Sequence, residues 1–403
     1  MADKDFFINL YDDEEEEIKE VKPVRRSAIV ELDNDPQADD IRYKNYGEPK
    51  RSAKVVTSER EKKRKVTKKK KVLSIVGRCF AAIGVTLLLV LVFLYGICFI
   101  LIKGPSESAK KQFVCAANET SAMKWLPYVY LKKSEVKSII NSNTMQEIDE
   151  GTVSDTNLVV IPTDNQNTDE PDIQLLDVSG KTYRGKLLIV KDPSRVFVGT
   201  VDRFYEGTGM VVADICKKYN AIGGVNGGEF VDMGSYSYTA MPVGPVISQG
   251  KHIFGDTYTT YNITGITNDN KLVIGKMSVD EALKMGVRDA VHTLHTTGPF
   301  LILNGEPLTV PDKDVYGGGM NPRTAIGQRA DGAILLLVVD GRQANSMGAT
   351  FDQLAYIMLE YGAVNAAAMD GGTSTQMYYE GEVVNSPYSP SGPRKCPTAW
   401  LVK

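Results

Sequence analysis

The chain changes character twice along its length. Residues 1–71 are almost entirely polar, residues 72–102 almost entirely apolar, and the remainder mixes the two as a globular protein does. Cys79 to Ile102 runs for 24 residues without a charge. As a helix it is ~36 Å long, against ~30 Å of bilayer hydrocarbon. The pattern predicts one transmembrane signal-anchor over 72–102 behind a cytoplasmic tail, 1–71. Residues 1–59 hold the acidic stretch Asp12–Glu17 and few apolar positions, which predicts disorder. Trp125, Leu126, Val129, Tyr130 and Leu131, then Val136, Ile139 and Ile140, recur at near-helical spacing, with Pro127 as a start or kink. Residues 141–171, rich in Asn, Asp, Thr and Ser, read as a linker. Together 103–171 are expected to form a helical stalk and polar linker, and 172–403 a domain.

Within 172–403 the pattern predicts an α/β (or α+β) mixed-sheet domain with helices packed on the sheet. Strands are expected at 186–190, 195–200, 221–225, 271–274 and 300–303, the last turning at Asn304-Gly305. Helices are expected at 209–220 and, with Ser278 as N-cap, at 278–285. Residues 236–261, aromatic and rich in Gly and Thr, suggest hairpins. The last hundred residues are clearest. Ala333–Val339 is apolar throughout, as in a strand buried on both faces. Thr350–Tyr361 is an amphipathic helix capped by Thr350 and stopped at Gly362. Ala363–Met369 is a second buried strand. This strand–helix–strand unit is expected to be a parallel one with a right-handed connection.

Charge refines the topology. Residues 1–71 carry 19 Lys and Arg against 17 Asp and Glu, whereas residues 79–403 carry 27 against 33. Arg60–Lys71 holds nine basic residues and one Glu immediately before the apolar run, and Lys103 is the only basic residue just after it. The positive-inside rule places the N-terminus in the cytoplasm and the C-terminal domain outside a cell membrane crossed once. The long polar leader argues against a cleavable signal peptide. An acidic outer domain argues against nucleic acid as a partner. Cys115, Cys216 and Cys396 lie far apart, allow at most one disulfide, and form no zinc pattern.

Two buried strands end in Asp-Gly, at Asp340-Gly341-Arg342 and at Asp370-Gly371-Gly372-Thr373-Ser374. A carboxylate at the carboxyl end of such a strand, followed by glycines, lets a ligand approach the backbone. Thr373, Ser374 and Thr375 add hydroxyls. A plain turn is the simpler account, and it competes more strongly at Asp340 than at Asp370. Asn226-Gly227-Gly228-Glu229 offers backbone N–H groups to a substrate. Arg323-Thr324 presents a guanidinium fork suited to phosphate or carboxylate, and Arg394, beyond Asn385, offers a second. His295 is the histidine nearest these motifs. A serine hydrolase lacks its G-x-S-x-G elbow, and a P-loop is absent.

These motifs, in this order, resemble those of the phosphodiester glycosidase domain family: Asn226-Gly227-Gly228, Gly298-Pro299 with Asn304-Gly305, Arg323–Gly327, Val339-Asp340-Gly341, Gly348-Ala349-Thr350 with Leu354-Ala355, and Ala363–Ser374. That family includes the uncovering enzyme that removes N-acetylglucosamine from mannose 6-phosphate, and exopolysaccharide-related bacterial members. The resemblance covers about 180–403. The chain departs from it with Glu229, where relatives carry an aromatic or small residue, and with Thr373 in place of a third glycine.

The resemblance implies a hydrolase that cleaves a sugar-1-phosphodiester; joined to the membrane anchor read from the apolar run, it points to a cell-envelope or exopolysaccharide glycan as substrate. A phosphate leaving group departs with little protonation, so such an enzyme needs cations on the phosphate and a carboxylate near the anomeric carbon. Asp370 is expected as that carboxylate, Asp340 as the second choice, with Arg323 on the phosphate. Asn226, Gly227, Gly228, Glu229, His295, Thr324, Gly371, Gly372, Thr373, Ser374, Asn385 and Arg394 are expected to contact substrate. No cofactor is certain; Asp340, Asp370, Glu229 and Asn226 suit a divalent cation, Ca²⁺ or Mg²⁺, and the sequence leaves that open, as it does the oligomeric state. Two other accounts stand beside the glycosidase: a non-catalytic glycan-binding or envelope-assembly protein of the same fold, and a phosphodiesterase breaking P–O.

Overall fold

The structure is a computed structural model. It describes residues 53–120, 122–162, 171–231, 239–294, 300–309, 317–389 and 392–403. The chain divides into two compact units, Met1–Ala81 and Ala82–Lys403. The tail expected to be disordered lies mostly outside the described residues, which begin within it at Ala53.

Helix α1 (Ala53–Lys103) starts well before the apolar run. The basic segment is thus helical rather than part of an irregular tail. Lys, Arg and Glu are good helix formers, and no Gly or Pro interrupts residues 53–76. The apolar part is long enough to cross a membrane. Leu88 and Phe93 are 60% and 68% exposed, and apolar side chains uncovered all round the helix are what lipid, not a protein core, accommodates. This is the composition of a membrane anchor or a signal sequence.

The predicted stalk folds as helix α2 (Glu107–Asn118), a 3-10 turn at Leu126–Val129 and helix α3 (Lys133–Ser142). Val114, Leu131 and Val136 are buried together with Ile102. The predicted linker, by contrast, is packed over much of its length. Met145, Ile148 and Val159 are buried, Val153 pairs with Gly275, and the Val160 N–H donates to the Ala330 carbonyl at 2.9 Å. A few well-spaced apolar side chains anchor an otherwise polar segment.

Among the described residues three sheets enclose a shared core, and every strand pair is antiparallel. The first has the order β1 (Ile173–Ser179), β2 (Arg184–Val190), β13 (Ile334–Val339), β12 (Arg323–Arg329), β14 (Ala363–Ala368), β10 (Phe300–Leu303), β11 (Glu306–Pro307). The second is β16 (Glu382–Val383), β15 (Met377–Tyr379), β4 (Gly223–Asn226), β17 (Thr398–Val402), β3 (Val196–Thr200). The third is β6 (Lys251–Phe254), β5 (Val246–Ser248), β9 (Val287–His292), β7 (Tyr261–Thr267), β8 (Leu272–Met277). Leu336, Val338 and Ile326 of the first, Trp400 and Val225 of the second, and Ile274 and Val291 of the third meet in one cluster. The outer face of the first sheet packs on helix α6 (Phe351–Glu360), that of the second on α4 (Val212–Tyr219), and that of the third on α5 (Val279–Lys284).

The expected parallel unit is present in its elements but not in its pairing. β13 and β14 run in the same direction, and β12 lies between them, antiparallel to both. Ile334–Val339 are all buried to 0% exposure, because an interior antiparallel strand covered on both faces is as apolar as a parallel one. Thr350 accepts from the Gln353 N–H as the N-cap of α6, and Ser278 caps α5 in the same way.

Before α6 the chain passes Gly348 at φ +113°, where an added Cβ would stand 2.5 Å from the Asn321 backbone. Gly348→Ala is expected to destabilise the domain by roughly 2 kcal/mol or more through combined strain and collision. Thermal melting of the two proteins measures it, and an unchanged midpoint would show that the backbone there can yield.

Candidate active site

Because β12 runs against β13 and β14, Arg323 at its start lies opposite Val339. The carboxyl ends of β13 and β14 and the amino end of β12 therefore share one edge of the sheet. Asp340, Asp370 and Arg323 all sit along that edge.

The turn after β14 is held from below. The Asp370 N–H donates to the Gly227 carbonyl at 3.2 Å, and Asn226 Nδ2 donates to the Asp370 carbonyl at 2.6 Å. Asn226 is fully buried. Its Oδ1 accepts from Thr324 Oγ1 at 2.8 Å and from the Gln376 N–H at 3.2 Å. Asn226 and Thr324 thus lock the turn's backbone, and the Gly227 N–H is occupied by the Thr398 carbonyl. Gly372 adopts φ +61° and donates its N–H to the Pro322 carbonyl at 2.9 Å. Asp370, Gly371, Gly372 and Thr373 remain partly exposed, whereas Ser374 is buried.

Two arginines flank this turn. Arg394 Nη1 donates to Thr373 Oγ1 at 3.4 Å, and its guanidinium lies 5.3 Å from the Phe230 ring. Burial pushes the nearby Cys396 thiol up, Asp370 adds to the rise and Arg394 opposes it. On the other side is Arg342. Its Nη2 and Nη1 lie 3.4 and 3.5 Å from where a Cβ on Gly372 would stand. Burial and then Arg323 push its pKa below the usual arginine value, while Glu119, Tyr388 and Asp370 support its charge. Arg342 was quoted in the Asp-Gly-Arg sequence without a role. Its φ of +58° is rare for a side-chain-bearing residue.

Arg323 is differently placed from the expected open phosphate ligand. It is 5% exposed, donates through Nε to the Ala349 carbonyl at 3.1 Å and through Nη2 to the Gly319 carbonyl at 2.7 Å. It pairs with Glu119 at 2.6 Å and lies 3.8 Å from the Phe351 ring. Thr324, its neighbour, faces the opposite side of the sheet, as alternation requires.

Asp340 and Asn385 are brought together. Asn385 Nδ2 and the Ser386 N–H donate to Asp340 at 2.9 and 3.0 Å, so Asp340 pins the 385–386 loop. Glu229 lies beyond Gly228 with its Oε2 3.9 Å from His292 Nε2. His295 lies outside the described residues, as does the Gly298-Pro299 motif. Among the described residues no group of three or more His, Cys, Asp or Glu gathers as a metal site would, and the Asn226 oxygen already accepts two bonds. Cys115, Cys216 and Cys396 are buried and unlinked.

The phosphodiester glycosidase family matches over residues 219–403, slightly under half of the chain. Those residues are similar to the phosphodiester glycosidase family. The match holds Asn226, Arg342, Asp370 and Arg394, and leaves Glu119 outside. A curated relative, the SPbeta prophage-derived uncharacterized protein YomE of Bacillus subtilis (strain 168), is 42% identical over 66 residues, 16% of this chain. That stretch spans only 10% of the relative's length. Among solved structures, the zebrafish N-acetylglucosamine-1-phosphodiester alpha-N-acetylglucosaminidase catalytic domain is 21% identical, covers 59% of this chain and 85% of its own, with TM-score 0.48. An exported protein of Burkholderia pseudomallei is 16% identical, covers 55% and 74%, with TM-score 0.40.

Burial, the leading influence, raises the Asp340 pKa above 3.8, against the donors of Asn385 and Ser386. The folded state therefore favours the protonated acid. Its contribution to stability is fully present below the unfolded pKa and is lost as pH rises through the folded one. Relative to Asp340→Asn, the wild type should gain melting temperature as pH is lowered from 7 towards 4. A difference that stays flat over that range would contradict it.

Proposed function

We propose that the chain is a membrane-anchored hydrolase that breaks the C–O bond of a sugar-1-phosphodiester in a cell-envelope or exopolysaccharide glycan, releasing the sugar and a phosphomonoester. The observation that carries this reading is a partly exposed carboxylate, Asp370, on a glycine turn between two arginines. A transition state of this reaction puts positive charge on the anomeric carbon and negative charge on the departing phosphate. Asp370 stabilises the first or activates the attacking water, and Arg342 and Arg394 hold the second. The Gly371-Gly372 backbone leaves the sugar room to approach. Arg323 acts from behind, fixing the strand from which the turn hangs. Asp340 and Asn385 shape the neighbouring loop.

The flanking charges support a cytoplasmic N-terminus and an extracellular domain, with the substrate on the same side. A phosphodiester-linked surface polymer meets both conditions.

Asp370→Asn keeps the turn's shape and removes the charge. It is expected to lower turnover of a sugar-1-phosphodiester by ~10²–10³-fold, and Arg342→Ala to lower kcat/KM on a similar scale. Release of free sugar by the full chain in detergent or nanodiscs measures both. A folded Asp370→Asn protein with full activity would remove Asp370 from catalysis. Glycan binding without turnover across varied sugars would instead favour a non-catalytic binding protein.

A further inference from the structure

Glu119 follows α2, outside the family domain, yet its carboxylate is one of the more completely bonded acids in the molecule. It is 15% exposed. Its Oε1 accepts from the Gly319 N–H at 2.9 Å, and its Oε2 accepts from Asn321 Nδ2 at 2.9 Å and Arg323 Nη2 at 2.6 Å. The bond from Asn321 matters most. With Nδ2 given to Glu119, the amide can only turn Oδ1 the other way, where it accepts from Arg342 Nε at 3.2 Å and Nη2 at 3.1 Å. Thr120 completes the grip. Its hydroxyl donates to the Ala116 carbonyl at 2.9 Å, so its oxygen is left to accept from Arg342 Nη2 at 2.9 Å. None of these bonds uses Nη1, which stands beside Gly372 together with Nη2. The Asn321 backbone is itself pinned by paired bonds with Ala349.

We propose that Glu119, aided by Thr120, is a positioning residue of this active site: acting through Asn321, it holds the Arg342 guanidinium against the Asp370–Gly372 turn, where the substrate's phosphate binds. The segment between the apolar helix and the sheets is then a working wall of the site. This rests on the reading of Asp370 and Arg342 given under the proposed function. The opposite role is a plug, in which Glu119 competes with the phosphate for the arginines. The two predict opposite signs.

The test uses the full chain in nanodiscs, with inorganic phosphate as the probe, read by calorimetry beside turnover of a sugar-1-phosphodiester. Glu119→Gln should weaken phosphate binding by ~10-fold and lower kcat/KM comparably, and in an Arg342→Lys background it should cost less than ~2-fold more, because the two act as one unit. Glu119→Asp should recover part of the loss. Thr120→Val, which leaves Arg323 untouched, should weaken phosphate by ~3-fold as a second probe that does not depend on the buried pair. Phosphate affinity unchanged or raised in Glu119→Gln, an equal loss in both backgrounds, or wild-type protein that does not bind phosphate would overturn the proposal. Phosphate binding that depends on Glu119 and Arg342 in a protein that turns over no sugar phosphodiester would sustain the positioning role and reject the hydrolase reading.

Discussion

Strand β12 runs antiparallel between β13 and β14, and that pairing decides where chemistry can occur. β13 and β14 point the same way, so the turns after both emerge at one edge, while β12 begins at that edge. Strand pairing of this kind has a period of two, and a slip of one residue would turn Thr324 away from Asn226 and Arg323 away from Phe351. The contacts below the Asp370 turn depend on that register. Asn226 reaches it from the second sheet, so the turn is tied to two sheets at once. Such a frame gives a carboxylate a fixed place while leaving its face open to a ligand.

Charge around this frame is arranged in depth. Arg323 and Glu119 form a buried pair whose remaining donors and acceptors are almost all met, which is what makes burial of two charges tolerable. Arg342 lies between that pair and the solvent-facing turn, with its Nε edge fixed by Asn321. Arg394 approaches from the other side. The result is a rigid cationic setting that suits the anionic leaving group of the proposed reaction, with little reorganisation left to be done on binding.

Much of this was legible in the sequence, for specific reasons. The apolar run announced itself by length. The strands at 186–190 and 333–339 and the capped helices at 278 and 350 followed from periodicity and side-chain chemistry. Asp340 and Asp370 were recognisable as acids closing buried strands. The pairing was not legible, since a doubly covered antiparallel strand has the same composition as a parallel one. The role of Arg323 was misplaced for a related reason: its guanidinium fork suits phosphate, but a Glu 204 residues earlier in the chain takes it first. Arg342 went unassigned because composition reveals neither its positive φ nor its place beside Gly372. Met145, Ile148 and Val159 were absorbed into a polar linker because isolated apolar positions carry no period.

The central claim is that Asp370 serves the sugar end of a sugar-1-phosphodiester, with the arginines serving the phosphate end. Hydrolysis of such a substrate in ¹⁸O-labelled water, followed by mass analysis of both products, tests it most directly. The account predicts that the heavy oxygen enters the released sugar at the anomeric carbon. Heavy oxygen in the phosphomonoester would mean that P–O is broken instead, and would contradict it.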